Sequence, residues 1–490
     1  MAGVFEEHAR FPGERVIPNT SLPVDALALD ERLRAVLKND MGIREFFPTQ
    51  ARVVPAVLAA HWSQRDVCVC APTGAGKTLG YALPVCQLLS DSATRRLRAL
   101  ILVPTKDLVA QVTEVVKPLA KPLGLRVGSA TGSQSFLAEQ QRIVGDVAAS
   151  QGGASKVDIL VATPGRLMDH LHSTPGFTLQ HLRILVVDEA DRLLQQRFQD
   201  FTFELRRHLQ TQRRPSFEGD TLDAVRNYRL GASARKTENA PFHTLLFSAT
   251  LTRDPAMLSQ LRLTNPLFFS FGGGADFALP PGLKAVEVRV SAAQKALYLV
   301  SFLRVMSTSK VLVFCSNNEN AHRLSLLLSA FSAEGVALPP VMEFSGQVTA
   351  AQRRAALDRF ASDGGVLVAS DAAGRGLDVP SLDVVVNYDA PRTPEIFVHR
   401  AGRTARAGNK GTVYTFGDAR QLAKVSRFSE QIANFKIRSD KQLSKQLAEL
   451  SQESQDALGR ALERASRDVA APPPTKKRKT ATGNDSNNSN

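Results

Sequence analysis

Cysteine is scarce in this chain of 490 residues. The four thiols, at Cys68, Cys70, Cys86 and Cys315, give neither the paired framework of a disulfide-stapled secreted domain nor a CxxC metal clamp. A reducing compartment fits that usage. No stretch approaches the ~18 consecutive apolar residues of a membrane span, and the first fifteen residues carry Glu6, Glu7 and Glu14 without an apolar run. Secretion and membrane insertion are therefore not expected. Acidic residues are also in short supply, 47 Asp plus Glu against 61 Lys plus Arg, for a formal net charge of +14. An excess of that size favours a polyanionic partner, nucleic acid first, over a neutral small molecule.

Apolar residues are plentiful, at 43% of the chain, and its length exceeds one ordinary domain, so two packed domains are expected. Short β-branched runs recur, each followed by a segment with helical apolar spacing. One set covers 67–70, 99–103, 157–162, 184–187 and 244–247; a second covers 311–315, 341–344, 366–369, 384–386 and 412–416. Runs that are apolar at nearly every position suit strands buried on both faces, as in a parallel sheet covered by helices. The fold class is α/β, with two similar lobes.

Between the sets, Gly272, Gly273, Gly274 and then Pro280, Pro281 and Gly282 mark a linker. The expected division is an extension over 1–22, a first lobe over 23–271, a linker over 272–283, a second lobe over 284–435, and a C-terminal helix with a basic disordered tail over 436–490. The stretch 212–240, rich in Arg, Gly, Ser and Asn, reads as a surface insertion. Polar sequence from Ser451, followed by Pro472, Pro473 and Pro474, leads to Lys476, Lys477, Arg478 and Lys479, a nuclear import signal or an auxiliary RNA tether. Residues 436–490 hold only +4 of the net charge, so the rest of the chain carries the larger share.

In open α/β sheets ligands bind beyond the carboxyl ends of the strands. After the strand ending at Cys70 come Ala71, Pro72, Thr73, Gly74, Ala75, Gly76, Lys77 and Thr78, a phosphate loop with Ala71 in place of the first glycine. Backbone amides there suit a β-phosphate, with the helix N-terminus adding its positive end. Lys77 suits β- and γ-phosphate charge, and Thr78 suits Mg²⁺. The strand 184–187 runs into Asp188, Glu189, Ala190 and Asp191. Asp188 is expected to hold the metal through water, and Glu189 to orient and deprotonate the attacking water. An acidic helix cap is the plainer reading of such a cluster, but a phosphate loop precedes this one in the same lobe.

These motifs resemble those of the DEAD-box ATP-dependent RNA helicases, and the resemblance extends over roughly Pro23 to Gln431. It includes Phe47-Pro48-Thr49-Gln50, Pro104-Thr105-Lys106-Asp107-Leu108, Thr163-Pro164-Gly165-Arg166 and Ser248-Ala249-Thr250. In the second half it includes Val313 to Ser316, Ser370-Asp371, Gly374 to Asp378 and His399 to Arg406. The family implies two tandem RecA-like lobes that close over ATP, Mg²⁺ and RNA. It implies that Gln50 reads adenine, that Asp378 contacts the ribose and that Arg403 and Arg406 are arginine fingers. It implies RNA contacts from Thr105, Lys106, Gly132, Thr163, Arg166, Arg353 and Ser370. Coupling between the sites is implied for Asp191, Ser248, Thr250, Arg375 and His399.

Three departures stand out: Lys106 replaces an arginine, Asp107 a glutamate, and Ser133 a second glycine. Lysine keeps the charge but loses the planar fork, so a looser phosphate contact is expected. The family's adenine-stacking aromatic is also missing, since its spacing lands on Val24. Within the family, Phe46 to Gln50, Pro104 to Leu108 and Thr163 to Phe177 look most like the branch acting in large-ribosomal-subunit assembly. That branch implies pre-ribosomal RNA and ribosome-assembly proteins as partners, a monomeric catalytic unit, and a nuclear, nucleolar location. A helicase is the leading reading and an ATP-gated RNA clamp or assembly scaffold the alternative.

Overall fold

The computed structural model describes residues 15–16, 21–63, 65–71, 74–90, 95–144, 155–195, 204–205, 207–209, 242–248, 263–271, 277–279, 282–306, 310–374, 382–405, 409–433, 435–453 and 455–470. The insertion 212–240 and the basic residues Lys476 to Lys479 lie outside them, as do the site residues Pro72, Thr73, Thr250, Arg375, Asp378 and Arg406.

The first lobe is a parallel sheet in the order Arg15–Val16, Leu267–Ser270, Val67–Cys70, His243–Ser248, Ile184–Asp188, Ala99–Leu102, Ile159–Ala162, Val127–Ala130. The second is a parallel sheet in the order Val341–Phe344, Gly365–Ser370, Lys310–Cys315, Val384–Asn387, Gly411–Gly417, Leu283–Arg289, Ile437–Ser439. All ten expected strands are present. Alternate residues of each strand feed opposite faces: Val67, Val69, Ala99 and Ile101 enter one core cluster, Cys68, Leu100 and Leu102 the other. The second lobe repeats this, with Val311, Val313 and Cys315 on one side and Leu312 and Phe314 on the other. Burial on both faces is why these runs are apolar throughout.

The division differs from the sequence reading in two places. Phe277–Ala278, inside the expected linker, pairs with Ile432–Ala433, and the strand beginning at Leu283 extends the second sheet. The second lobe also continues past 435. Ile437–Ser439 forms an edge strand, and helices Lys441–Glu453 and Gln455–Ala470 place Leu443, Leu447, Ala457, Ala461 and Ala465 in the second-lobe core. Polar sequence after Ser451 therefore hides a packed helix. Its buried stripe is alanine at four-residue spacing, which lets a neighbouring helix approach closely without a conspicuous apolar run.

The lobes touch. His399 Nε2 lies 3.3 Å from Asp191 Oδ2, Arg192 Nη2 donates to the Ala372 carbonyl at 3.5 Å, and Arg353 Nε lies 3.6 Å from Asp107 Oδ2. Among the described residues no helix is long and apolar enough to cross a membrane.

Candidate nucleotide and RNA site

The phosphate loop leaves the strand Val67–Cys70 at Ala71, whose N–H donates to the Ser248 carbonyl at 3.0 Å. Gly74 and Gly76 have φ of 82° and 76°, the left-handed region that glycine enters without strain. Gly76 has a second reason to be glycine, because a Cβ there would sit 2.0 Å from Gln50 Nε2. The helix Lys77–Leu89 starts at once, so Lys77 is its first residue. Its buried ammonium donates to the Ala71 carbonyl at 2.9 Å, which holds the charge inside the loop where a phosphate would sit.

The acidic pair follows the strand Ile184–Asp188. Tyr81 Oη donates to Asp188 Oδ2 at 2.9 Å, and the Glu189 N–H donates to Asp188 Oδ1 at 2.9 Å. Burial, and then the neighbouring Glu189 charge, push Asp188 up to about 6 against the opposing pull of Lys77. Burial and the Asp188 charge raise Tyr81 well above its ordinary value, and Thr78 also bonds that hydroxyl. Glu189 has φ of 52°, a left-handed conformation that costs a non-glycine residue about 1–3 kcal/mol and recurs at functional sites. Two buried adjacent carboxylates beside a threonine are short of positive charge, and a divalent cation fits that deficit at Thr78 and Asp188.

Gln50 lies on the helix Pro48–Trp62 and is buried against the loop. Its Nε2 donates to the Gly76 carbonyl at 3.2 Å and its Oε1 accepts from the Phe47 N–H at 2.9 Å. A primary amide has a second hydrogen and a second lone pair, so both functions needed at an adenine edge remain. Val24 is fully buried, which rules it out as a stacking partner.

Two of the residues expected to couple the sites, Asp191 and His399, meet at the lobe interface. Glu189, Asp191 and His399 bring ligand atoms within 4.8 Å of one another, all buried. Arg403 is buried, and its Nε donates to the His399 carbonyl at 3.1 Å. Ser248 is buried at the end of its strand. Sequence reasoning gave Arg400 no role of its own. It bonds both Asp371 oxygens, at 2.6 and 2.9 Å, and donates to Asn387 Oδ1 and the Asp389 carbonyl, which locks the helix Pro394–Ala401 to the sheet. No local spacing signals such a network.

The residues expected at RNA come from several elements. Thr105 and Thr163 are the N-caps of helices Lys106–Ala120 and Pro164–Ser173, just past the strands Ala99–Leu102 and Ile159–Ala162. Gly132 turns at φ of 70°. A Cβ built on it would lie 3.7 Å from Arg166 Nε and 3.8 Å from Lys106 Nζ, so three of the expected residues converge on one spot. Opposite, Ser370 Oγ donates to Asn318 Oδ1 at 2.6 Å, and the same amide oxygen accepts from the Gly346 N–H at 3.0 Å. Arg353 donates to the Val348 carbonyl at 2.8 Å, and its Nε lies 3.6 Å from Asp107 of the other lobe.

Paired parallel sheets, a phosphate loop and an acidic strand end define a nucleoside triphosphatase built of tandem RecA-like lobes. Two family profiles match in order, DEAD/DEAH box helicase over residues 47–258 and helicase conserved C-terminal domain over residues 294–408. The chain is 38% identical over 455 residues to DEAD-box ATP-dependent RNA helicase 1 of Arabidopsis thaliana, covering 86% of each. It is 38% identical to human ATP-dependent RNA helicase DDX51, covering 82% of this chain but 62% of that one. It is 34% identical to ATP-dependent RNA helicase dbp6 of Schizosaccharomyces pombe, covering 85% of this chain and 72% of that one.

The fold also matches Mss116p bound to single-stranded RNA and AMP-PNP, with a TM-score of 0.69 and 23% identity over 94% of this chain and 89% of that one. Saccharomyces cerevisiae Dbp5 bound to RNA and ADP BeF3 gives a TM-score of 0.66 and 20% identity over 89% of this chain and 99% of that one. The chain belongs to the DEAD-box family of ATP-dependent RNA helicases.

Proposed function

We propose that this helicase closes its lobes over ATP and a short stretch of RNA, separates or remodels that RNA locally, and does so during assembly of the large ribosomal subunit. The observation that carries the coupling is the 3.3 Å contact between Asp191, two residues beyond the water-activating Glu189, and His399 of the opposite lobe. A closure that makes or breaks this contact links hydrolysis to whatever lies between the lobes.

The loop amides of Thr73 to Lys77 and the Lys77 ammonium take the phosphates. Thr78 and Asp188 hold Mg²⁺, which when bound supplies positive charge to the phosphate oxygens. Glu189 accepts a proton from the attacking water, Gln50 reads the adenine edge, and Asp378 meets the ribose. Arg403 and Arg406 offer charge to the transferred phosphoryl group, an effect worth ~10³ to 10⁵ in turnover where it operates. Arg403 Nε donates to the His399 carbonyl, so its reach is tied to the coupling residue.

Lys106, Gly132 and Arg166 converge as a sugar-phosphate binding spot, with Thr105 and Thr163 at the adjoining helix N-termini and Ser370 across the cleft. Arg353 joins them when its pairing with Asp107 opens, and Arg375, Ser248 and Thr250 transmit closure. Contacts of this kind set position and do not read sequence. The catalytic unit is a monomer.

Resemblance to the large-subunit branch supports pre-ribosomal RNA and assembly proteins as partners, and Lys476 to Lys479 support a nuclear, nucleolar location. Crosslinking the protein to cellular RNA and sequencing the bound fragments tests this: pre-ribosomal fragments are expected, and enrichment of messenger RNA alone refutes it.

A further inference from the structure

The spot formed by Lys106, Gly132 and Arg166 has a buried carboxylate behind it. The helix Phe136–Ile143 is capped by Ser135 and carries Glu139 on its inner side, only 2% exposed. A buried carboxylate is costly unless its oxygens are satisfied and its charge is met. Both conditions hold, and the two oxygens divide the work. Oε1 accepts from the Thr131 N–H at 3.1 Å and the Gly132 N–H at 2.9 Å, fixing the loop. Oε2 accepts from Arg166 Nε at 2.6 Å and lies 3.3 Å from His170 Nε2.

The imidazole completes the frame. Its Nδ1 lies 2.8 Å from Thr174 Oγ1, and its ring stacks on Phe136 with centroids 4.6 Å apart. Beside a carboxylate, Nε2 carries the proton and Nδ1 accepts from the threonine hydroxyl. The Arg166 guanidinium carbon lies 4.8 Å from the centroid of the Phe136 ring. Arg166 is thus held through Nε, while its Nη1 makes a 3.5 Å contact with Asp169, leaving the outer edge of the fork for an incoming phosphate. Burial raises Glu139, but Arg166 and the N–H donors outweigh it and keep the carboxyl below its ordinary value, so it is ionised at neutral pH.

We infer that Glu139 is a positioning residue for RNA: its Oε1 fixes the Gly132 loop and its Oε2 orients Arg166, so that loop and guanidinium present one preformed phosphate-binding surface. This rests on the reading that Arg166 and Gly132 face RNA. Preorganisation of this kind acts on affinity and leaves the rate of the saturated complex nearly intact.

The test compares the full-length protein with Arg166→Ala, Glu139→Gln and the double variant. Binding of a fluorescein-labelled single-stranded RNA is measured with AMP-PNP and Mg²⁺, and ATPase is titrated with RNA. Glutamine keeps an acceptor for the loop but meets Arg166 with an amide donor. Glu139→Gln is expected to weaken RNA binding about tenfold and to raise the RNA concentration for half-maximal ATPase by the same factor, with kcat within about twofold. In the Arg166→Ala background the same change is expected to cost little, since its route to RNA is gone. A second variant, Arg166→Lys, keeps the charge but lacks Nε, and is expected to lose RNA affinity as Glu139→Gln does.

Wild-type RNA affinity in Glu139→Gln or in Arg166→Lys, with Arg166→Ala impaired, overturns the inference. Full additivity of the two losses does the same. Wild-type affinity in Arg166→Ala overturns the RNA-face reading beneath it.

Discussion

Replacing Asp188 by asparagine should stabilise the first lobe while abolishing ATP turnover. Asp188 is buried, sits beside Glu189, and is pushed from an ordinary 3.8 to about 6. Each unit of such a shift is worth about 1.4 kcal/mol, so the ionised carboxylate costs the folded state ~3 kcal/mol at neutral pH. Asparagine keeps the local bonds: its Oδ1 accepts from the Glu189 N–H, and the Tyr81 hydroxyl turns to accept from the amide.

The sign follows from the raised value. The folded state binds this proton more tightly than the unfolded chain, so stability falls as pH rises through the window between 3.8 and about 6 and stays low above it. The variant escapes that loss. Thermal unfolding of the first lobe without nucleotide should shift upward by roughly 6–12 °C near pH 7.5, and the gap should close as pH falls toward 4. Equal stability at pH 7.5, or a gap that does not depend on pH, would refute the claim that the Asp188 carboxylate is held in an unfavourable charged state.

Three further outcomes are expected. Glu189→Gln should retain ATP and RNA binding and lose nearly all hydrolysis, read by single-turnover phosphate release; near-normal turnover removes the water-activating role. Gln50→Ala should reduce discrimination between ATP and GTP in competition binding by about ten- to a hundredfold, the worth of one or two buried hydrogen bonds, and undiminished preference contradicts adenine reading. His399→Ala breaks the inter-lobe contact with Asp191 and should lower RNA stimulation of the ATPase about tenfold while nucleotide affinity holds; unchanged stimulation would remove it from the coupling route.

The parts legible in the sequence share a physical cause. Strands such as Ile159–Ala162 and Gly365–Ser370 are buried on both faces, so every position is constrained and the run stands out. Val127–Ala130, reading Val-Gly-Ser-Ala at the sheet edge, is packed less completely and carries no such pattern. Leu283–Arg289 alternates with polar residues and does not stand out as a strand until its pairing with Gly411–Gly417 is known. The helix Gln455–Ala470 buries alanines, whose small side chains leave little apolar signal.

The site divides in the same way. Loop and strand-end residues such as Lys77 and Asp188 sit in local patterns that chemistry imposes. The residues that hold them do not: Tyr81 meets Asp188 across 107 positions of sequence, and Glu139 meets Arg166 from another helix. Such partners are chosen by tertiary geometry, where a tyrosine or glutamate looks like any other helical residue.

Steady-state ATPase measured beside strand separation on a short RNA duplex tests the central claim most directly. RNA should stimulate hydrolysis, ATP should drive release of the shorter strand, and Glu189→Gln should block hydrolysis while the RNA complex persists. RNA-stimulated hydrolysis without strand release would mark an ATP-gated clamp, and hydrolysis indifferent to RNA would contradict coupling between the two lobes.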